Sequence, residues 1–191
     1  MGYSGCIGCL FGKGDFVTDF DRAFAFVIGA EGGFTADPHD RGNWTGGEIG
    51  KGICRGTKYG ISAAAYPDLD IGNLSLDDAK AIYCRDYWRP LHCDEFSFPK
   101  ALVLFDCGVN QGVSRAIRFA QKAVGVAVDG LIGPITIGAI KSASDTDFVL
   151  KMLAERERHY RSLKAFDRYG KGWLSRLKHV RAVALDDLGV A

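Results

Sequence analysis

PKALVLFDCGV, residues 99–109, is the stretch of this sequence that decides the fold. Pro99 suits the first position of a helix, and the run from Ala101 to Val109 is apolar on nearly every side except at Asp106. A helix that is apolar all round needs other helices packed around it. The stretch therefore predicts a buried central helix, which we call the core helix.

Helical periodicity and cap residues extend on both sides of the core helix. They predict helices from Thr18 to Gly32–Gly33, from near Ser62, from Ser75 to Pro90, from Ser114 to Val124, from Pro134 to Ser142, from Asp147 to Phe166 and from Trp173 to Leu188. Residues 34–60 are rich in Gly, Asp, Thr and Asn and lack apolar periodicity, which predicts loops or a small β-hairpin. The fold is therefore predicted to be mainly α, a helical bundle with a small loop-rich or β-hairpin insertion near the N-terminus.

The composition is that of a soluble globular protein, with 191 residues of which 47% are hydrophobic. No apolar run reaches the roughly 18 residues that a membrane-spanning helix needs, so we expect no integral membrane segment. Residues 1–14 lack the basic and apolar regions of a signal peptide and are expected to form a flexible leader.

Charge is unevenly distributed along the chain. Residues 1–114 carry a net charge of −5, whereas residues 115–181 carry +8. A basic C-terminal half favours an anionic polymer as partner, which could be nucleic acid, a membrane surface or a bacterial cell wall. The alternative is a solvated basic surface without a partner.

The six cysteines are too few for a disulfide scaffold of this length. Cys6 and Cys9 form a single CxxC pair, whereas a zinc site would be better indicated by two such pairs. We therefore expect no metal and no cofactor.

Glu31 is the candidate catalytic acid. It lies eleven residues after Phe20, which places it within about 20° of the same face of the first predicted helix. Burial and the negative end of the helix dipole would both raise the pKa of this carboxyl group. A glycosidase needs such a protonated acid to donate to the leaving oxygen. The alternative is a glutamate that pairs with a buried arginine or caps a backbone amide.

Two further polar groups follow Glu31. Asp40 lies nine positions later in a polar loop, where it should remain ionised, and Thr57 opens the string TKYGIS. A protonated acid, a loop carboxylate and a hydroxyl can together protonate a leaving group and hold a water molecule. This arrangement suits an inverting hydrolase, in which the water lies between acid and base.

Five strings resemble, in order, the glycoside hydrolase family 108 lysozymes, also called the secretion-activator family. Four are EGGFTADPHDRGN from Glu31, TKYGIS from Thr57, AIYCRDYW from Ala81 and LFDCGVNQG from Leu104. The fifth, VDGLIGPITIGAI from Val128, resembles the peptidoglycan-binding region that the family carries C-terminally. The resemblance covers about residues 18–180, which is nearly the whole chain.

The resemblance implies a lysozyme-like α+β fold and an endolysin-like, bacteriolytic N-acetylmuramidase, with Glu31 as catalytic acid and Asp40 and Thr57 as supporting residues. A catalytic lobe over 15–112 and a helical, peptidoglycan-binding lobe over 113–191 are predicted. One departure from the family pattern is WTGGEIGKGICRG, Trp44–Gly56, which looks like an insertion between Asp40 and Thr57. Asp37 could take the role of Asp40 instead.

Aromatic and amide residues of the same strings are candidate substrate-binding groups: Tyr59, Tyr87, Trp88, Asn110 and Gln111. For Tyr87 and Trp88, packing in the core is an equally good interpretation. Asn110 and Gln111 follow the core helix, where their side chains could face a cleft.

Two rival functions remain open. A lytic transglycosylase would cleave the same bond with one glutamate, and a non-catalytic wall-binding or secretion-assisting protein would need no catalytic acid. Nucleic-acid binding is not expected, because the N-terminal half is acidic and no binding motif is present. We expect a monomer that is made in the bacterial (host) cytoplasm and acts at the cell wall or in the periplasm after release.

Overall fold

The structure of the protein, a computed structural model, describes residues 17–29 and 33–189. Within these ranges it contains seven α-helices and one two-stranded antiparallel sheet. The elements are α1 (Asp19–Ile28), β1 (Thr57–Lys58), β2 (Ile61–Ser62), α2 (Leu76–Tyr83), α3 (Phe98–Gln111), α4 (Val113–Val124), α5 (Pro134–Ser142), α6 (Asp145–Ser162) and α7 (Phe166–Asp186). The predicted mainly helical fold class is confirmed. The predicted leader 1–14, Cys6, Cys9 and Glu31 lie outside the described residues.

The chain divides into two compact units. One, which we call the loop unit, comprises residues 24–84, and the other, the helical unit, comprises the residues up to 23 and those from 85 onward. This division differs from the predicted lobes 15–112 and 113–191, because α3 packs with α4, α6 and α7 in the helical unit.

Helix α3 is the predicted core helix. Pro99 lies in its first turn, and every residue from Phe98 to Gly108 is buried. Helices α4, α6 and α7 contact it within the helical unit. The prediction of a buried central helix surrounded by others is therefore confirmed for this unit.

Asp106, the charged residue that interrupts the apolar sequence of α3, is fully buried and paired. Its carboxylate accepts hydrogen bonds from Arg156 Nη2 of α6 at 2.6 Å and from Arg176 Nε of α7 at 2.9 Å. The Arg156 side chain is itself fully buried. A single carboxylate thus connects three helices of the helical unit.

Asp106→Ala is expected to lower the free energy of unfolding by about 3–5 kcal/mol, because it leaves the buried Arg156 guanidinium without its counter-charge. Urea denaturation followed by circular dichroism measures this difference. Asp147→Ala is the matched control, since it breaks an exposed pair with Lys151 at 3.0 Å and should cost less than about 1 kcal/mol. If the two variants lose the same free energy of unfolding, the buried cluster around Asp106 contributes no more to stability than an exposed ion pair.

Helix α1 begins as predicted and ends earlier than predicted. Thr18 caps it: Thr18 Oγ1 accepts from the Asp21 amide at 3.1 Å, and Asp21 Oδ2 accepts from the Thr18 amide at 3.2 Å. The helix ends at Ile28, and Gly29 has a positive φ of 67°, whereas the predicted end was Gly32–Gly33. Because α1 ends at Ile28, the predicted position of Glu31 on the helical face of Phe20 is not supported.

The loop unit contains the predicted helix from Ser75 and corrects the one predicted near Ser62. Ser75 and Asp78 form the expected capping box of α2. Ser62 instead belongs to β2, which pairs with β1 through the two-residue turn Tyr59-Gly60. Both turn residues have positive φ, 51° and 74°, the pattern of a type I′ turn.

The two long C-terminal helices differ from prediction at both ends: α6 ends at Ser162 rather than Phe166, and α7 ends at Asp186 rather than Leu188. Helix α5 has the predicted bounds, whereas α6 begins at Asp145 and α7 at Phe166, seven residues before the predicted Trp173. Helix α7 continues through Gly170, which is buried beside the Phe166 ring, where a Cβ atom would meet ring atoms. None of the described helices is long and apolar enough to cross a membrane.

Candidate functional site

Asp40 lies in the loop unit at the start of a short 3₁₀ turn, Arg41–Asn43. Its Oδ1 accepts a hydrogen bond from the Gly42 amide at 2.8 Å, which fixes the carboxylate as the cap of this turn. The residue is exposed. Asp40 therefore lies in an exposed polar loop, which is where the sequence placed it.

Asn43, at the end of the same turn, is fully buried and joins two segments of the loop unit. Its Nδ2 donates to the carbonyl of Asp37 at 3.0 Å, and its Oδ1 accepts from Thr57 Oγ1 at 2.7 Å. Its carbonyl accepts from the amides of Arg55 at 2.9 Å and Gly56 at 3.1 Å. Asn43 therefore connects the Asp40 loop directly to Thr57.

Thr57 is held on both sides of its backbone. It exchanges two hydrogen bonds with Thr35, at 2.8 and 2.9 Å, and pairs with Ser62 across the β1–β2 hairpin. Because the hydroxyl proton is donated to Asn43, Thr57 Oγ1 can only accept from a further partner. The hydrogen bond to Asn43 therefore determines that Thr57 Oγ1 is available as an acceptor and not as a donor.

The inserted segment, Trp44–Gly56, forms a loop whose two ends are joined by backbone hydrogen bonds. Trp44 and Cys54 form an antiparallel bridge, and the Thr45 amide donates to the Ile53 carbonyl at 3.0 Å. The chain returns at Arg55, whose amide binds the carbonyl of Asn43, the residue before the insertion. The insertion therefore does not separate the Asp40 turn from Thr57, although it lies between them in sequence.

Asp37, the alternative to Asp40, occupies the same loop. Its Oδ1 accepts from the His39 amide at 2.9 Å, and its carbonyl accepts from Asn43. Both carboxylates are exposed and each caps a local turn. Asp37 and Asp40 thus have the same exposure and the same kind of local hydrogen bond.

Tyr59 occupies the first position of the β1–β2 turn, and its carbonyl accepts from the Tyr83 hydroxyl at 3.0 Å. Its side chain is half-buried, with Lys58 Nζ 5.5 Å from the ring centre. The loop unit thus brings Asp40, Thr57 and Tyr59 into connected turns. In the described part of the chain, no group of three or more His, Cys, Asp or Glu side chains is placed to hold a metal ion.

A comparison with protein families bears on this arrangement. Residues 24–112 match the family model described as Glycosyl hydrolase 108, which includes Asp40, Asn43 and Thr57. We call this matched stretch the glycosyl hydrolase 108 region. Residues 115–178 match a second model, described as a Predicted Peptidoglycan domain. The resemblance stated from the sequence is confirmed for both parts, and the chain carries the regions of a peptidoglycan-acting protein.

The chain is also similar to a solved structure, that of SagA from Brucella abortus. The two share 28% sequence identity with a TM-score of 0.72, over 87% of this chain and 94% of SagA. Among curated proteins, no significant match was found.

The glycosyl hydrolase 108 region also includes Tyr87 and Trp88, which lie in the helical unit rather than in the loop unit. Trp88 is 1% exposed; its ring packs edge-on against Phe20 and Phe105, each with centroids 5.4 Å from it, and its Nε1 donates to Asp94 at 2.6 Å. Such a ring presents no face to a sugar. For Trp88 the structure favours core packing, whereas Tyr87 is half-buried in a π-helical turn and its role stays a prediction.

Asn110 and Gln111, at the end of α3, have different environments. Gln111 is 8% exposed and accepts hydrogen bonds from Arg156 Nε at 2.8 Å and from Cys107 Sγ at 3.3 Å. Burial raises the pKa of the Cys107 thiol to about 12, so the thiol keeps the proton that it donates. The sequence suggested that Gln111 faces a cleft. In the structure Gln111 instead belongs to the buried cluster around Asp106. Asn110 is exposed, and its Nδ2 donates to the Asp106 carbonyl at 2.8 Å.

Asn43 is the residue of this site that sequence reasoning missed. It stands in the quoted string EGGFTADPHDRGN, but nothing local indicates that its amide binds a hydroxyl fourteen residues later. Only the closed insertion brings the two residues together.

Proposed function

We propose that this protein is a peptidoglycan hydrolase, an N-acetylmuramidase that cleaves the β-1,4 bond between N-acetylmuramic acid and N-acetylglucosamine. The observation that carries the proposal is the hydrogen bond from Thr57 Oγ1 to the buried Asn43, within a glycosyl hydrolase 108 region that also contains the exposed Asp40. The loop unit thus contains both a hydroxyl oxygen fixed as an acceptor, Thr57 Oγ1, and an exposed carboxylate, that of Asp40.

In the proposed mechanism Glu31 protonates the glycosidic oxygen as the leaving group departs. A water molecule donates one proton to the Asp40 carboxylate as it attacks, and its other hydrogen points to Thr57 Oγ1. Because Thr57 Oγ1 has already donated its own proton to Asn43, it can accept from this water. With both of its hydrogens directed to Asp40 and Thr57, the water turns a lone pair of its oxygen towards the anomeric carbon, and this attack inverts the anomeric configuration.

The remaining parts of the proposal concern where and with what the protein acts. The region matched by the predicted peptidoglycan domain, residues 115–178, would retain the enzyme on its polymeric substrate. We propose a monomer, without a nucleic-acid partner, that is made in the bacterial cytoplasm and acts at the wall or in the periplasm after release.

Digestion of purified sacculi followed by mass analysis of the soluble fragments tests the proposal. Hydrolysis gives fragments with a reducing N-acetylmuramic acid end, which is the expected result. A 1,6-anhydro end would instead identify a lytic transglycosylase. The absence of soluble fragments, with a folded protein that still binds sacculi, would identify a non-catalytic wall-binding protein.

Thr57→Val is expected to lower the hydrolysis rate by about 10- to 100-fold, the value of one or two lost hydrogen bonds in the transition state. Valine has nearly the shape of threonine, so the loss would come from the missing hydroxyl, and initial rates on sacculi measure it. Because the variant also leaves buried Asn43 Oδ1 without a donor, its thermal unfolding should be recorded beside the rate.

Two substitutions control for this prediction. Thr57→Ser keeps the hydroxyl and should keep most of the activity. Thr45→Val removes a hydroxyl that accepts from the Ile53 amide within the insertion and should change the rate less than about twofold. Wild-type turnover by Thr57→Val would exclude Thr57 from the mechanism.

A further inference from the structure

Helix α7 carries a row of exposed cations. Between Arg168 and Leu185 its sequence contains no Asp or Glu. Arg176 binds the buried Asp106, whereas the other arginines and lysines of this segment are exposed: Arg168, Lys171, Lys178 and Arg181. At 100° per residue these four directions span about 140° of the helix circumference. We call these four residues the α7 basic face.

The cations of this face lack carboxylate partners, unlike the exposed cations of the neighbouring helix α6. The exposed cations of α6 all pair with acidic residues: Lys151 with Asp147, Arg158 with Glu155 and Arg161 with Glu157. In α4, Lys122 pairs with Glu155, whereas Arg115 and Arg118 bind backbone carbonyls. Within residues 17–29 and 33–189, none of the four α7 cations forms an ion pair. Arg168 makes a cation–π contact, with its guanidinium carbon 5.1 Å from the centre of the Tyr169 ring. Ordinary solvation does not require this difference between the helices.

The rest of α7 shows which kind of partner this face fits. Its apolar side is occupied, since Leu177, Val180 and Ala184 are buried. Ser175 and Ala182, which are exposed and small, lie within the arc of the helix that the cations span. Tyr169 is the large apolar residue that the described part of α7 leaves exposed. A helix that lies in a membrane interface needs a continuous exposed apolar side, which α7 does not offer.

We propose that the α7 basic face binds the free carboxylates of the peptide stems in peptidoglycan. Peptide stems end in carboxylates and recur along each glycan strand, so their charge pattern complements a row of unpaired cations. Three of the four residues lie within residues 115–178, the region matched by the predicted peptidoglycan domain. This inference rests on the proposed function for its substrate class, but it concerns binding and does not require cleavage.

Co-sedimentation with sacculi tests this inference on the full chain carrying Glu31→Gln, which is intended to prevent digestion. The sacculi are first freed of phosphate-containing polymers, so that stem carboxylates are the anions that remain. The test variant replaces Arg168, Lys171, Lys178 and Arg181 with Gln. The matched control replaces the paired cations Lys122, Lys151, Arg158 and Arg161 with Gln. The unmodified chain carries a net charge of +1, so the Glu31→Gln chain carries +2, and both variants change this value from +2 to −2.

The test variant is expected to bind sacculi about tenfold more weakly at low salt, and the control to change less than about threefold. Binding by the parent should weaken as salt rises towards about 0.15 M, and the test variant should show a shallower dependence. A charge-preserving variant, with Arg168→Lys, Lys171→Arg, Lys178→Arg and Arg181→Lys, should bind like the parent. Amidation of the carboxylates in the sacculi should abolish the difference between the parent and the test variant.

Three results would overturn the inference. Equal weakening in the test and control variants would mean that overall charge, rather than this face, decides binding. Undiminished binding to amidated sacculi would exclude the carboxylates. Tighter, face-dependent binding to duplex DNA or to phosphatidylglycerol vesicles would assign the face to another partner. The binding assay does not depend on turnover, so a failure of the proposed hydrolysis would be seen separately, in the digestion assay with the unmodified chain.

Discussion

Glu31→Gln is expected to lower peptidoglycan hydrolysis by about 10⁴-fold, the upper end of the usual effect of a catalytic acid or base. Glutamine has the size of glutamate but cannot give a proton to the leaving glycosidic oxygen, so the chemical step should fail while substrate binding persists. Release of soluble fragments from sacculi measures the rate, and co-sedimentation with sacculi measures the binding.

Glu48→Gln is the matched control for this change. Glu48 is an exposed glutamate of the inserted segment, 3.8 Å from Lys51 Nζ, and its replacement should leave the rate within about twofold of the parent. Near-parental turnover by a folded Glu31→Gln protein would mean that another group is the acid. Loss of both activity and folding would be visible in the thermal unfolding curve.

Asp40→Asn is expected to reduce the hydrolysis rate by about 10²- to 10⁴-fold, because the attacking water would lose the base that accepts its proton. The amide can still occupy the cap position, where Asp40 Oδ1 now accepts from Gly42, so the turn should remain folded. The effect should therefore appear in kcat with little change in the unfolding temperature.

Two further aspartates sharpen this test. Asp37→Asn probes the alternative base in the same loop, and the more damaging of the two substitutions identifies the base. Asp68→Asn, at another exposed position of the loop unit, should leave the rate unchanged within about twofold. If neither Asp37→Asn nor Asp40→Asn slows hydrolysis, the mechanism does not use a carboxylate of this loop.

The parts of the fold that could be predicted from sequence are those whose causes are local. Pro99 and the apolar residues after it predicted α3, and the Ser75–Asp78 capping box and Pro134 predicted the starts of α2 and α5. In each case the residues that begin or bury the element stand next to one another in the chain.

The errors of prediction arose where a conformation depends on neighbours distant in sequence or on an uncommon backbone. Tyr59 adopts a positive φ, which is rare for an aromatic residue, and this allowed a hairpin where a helix near Ser62 had been predicted. The predicted start of the last helix at Trp173 was wrong, because α7 begins at Phe166 and continues through Gly170, which lies beside the Phe166 ring where a Cβ atom would meet ring atoms. At the other end of the chain, Gly29, rather than Gly32–Gly33, follows the last residue of α1.

The candidate site could be predicted in its chemical groups but not in its connections. Asp40 and Thr57 were identified from residue type and order, whereas Asn43, which joins them, has no local signature. Gln111 and Trp88 show the opposite error, because an amide and an aromatic ring that suit a sugar equally suit a buried network. Only burial and partners, which depend on the folded chain, distinguish these uses.

The carbonyl oxygen of Asn43 closes the inserted segment at its base, where it accepts the amides of Arg55 and Gly56. A loop anchored in this way can gain or lose residues at its tip at a small entropic cost, about 0.6 kcal/mol for each doubling of length. Evolution could therefore reshape the exposed tip, where Ile49 and Ile53 face solvent, without altering the spacing of the polar groups beneath it. Substitutions in the tip could then change the substrate preference and leave the polar groups unchanged, because the hydrogen bonds of the Asn43 peptide group separate these two parts of the loop.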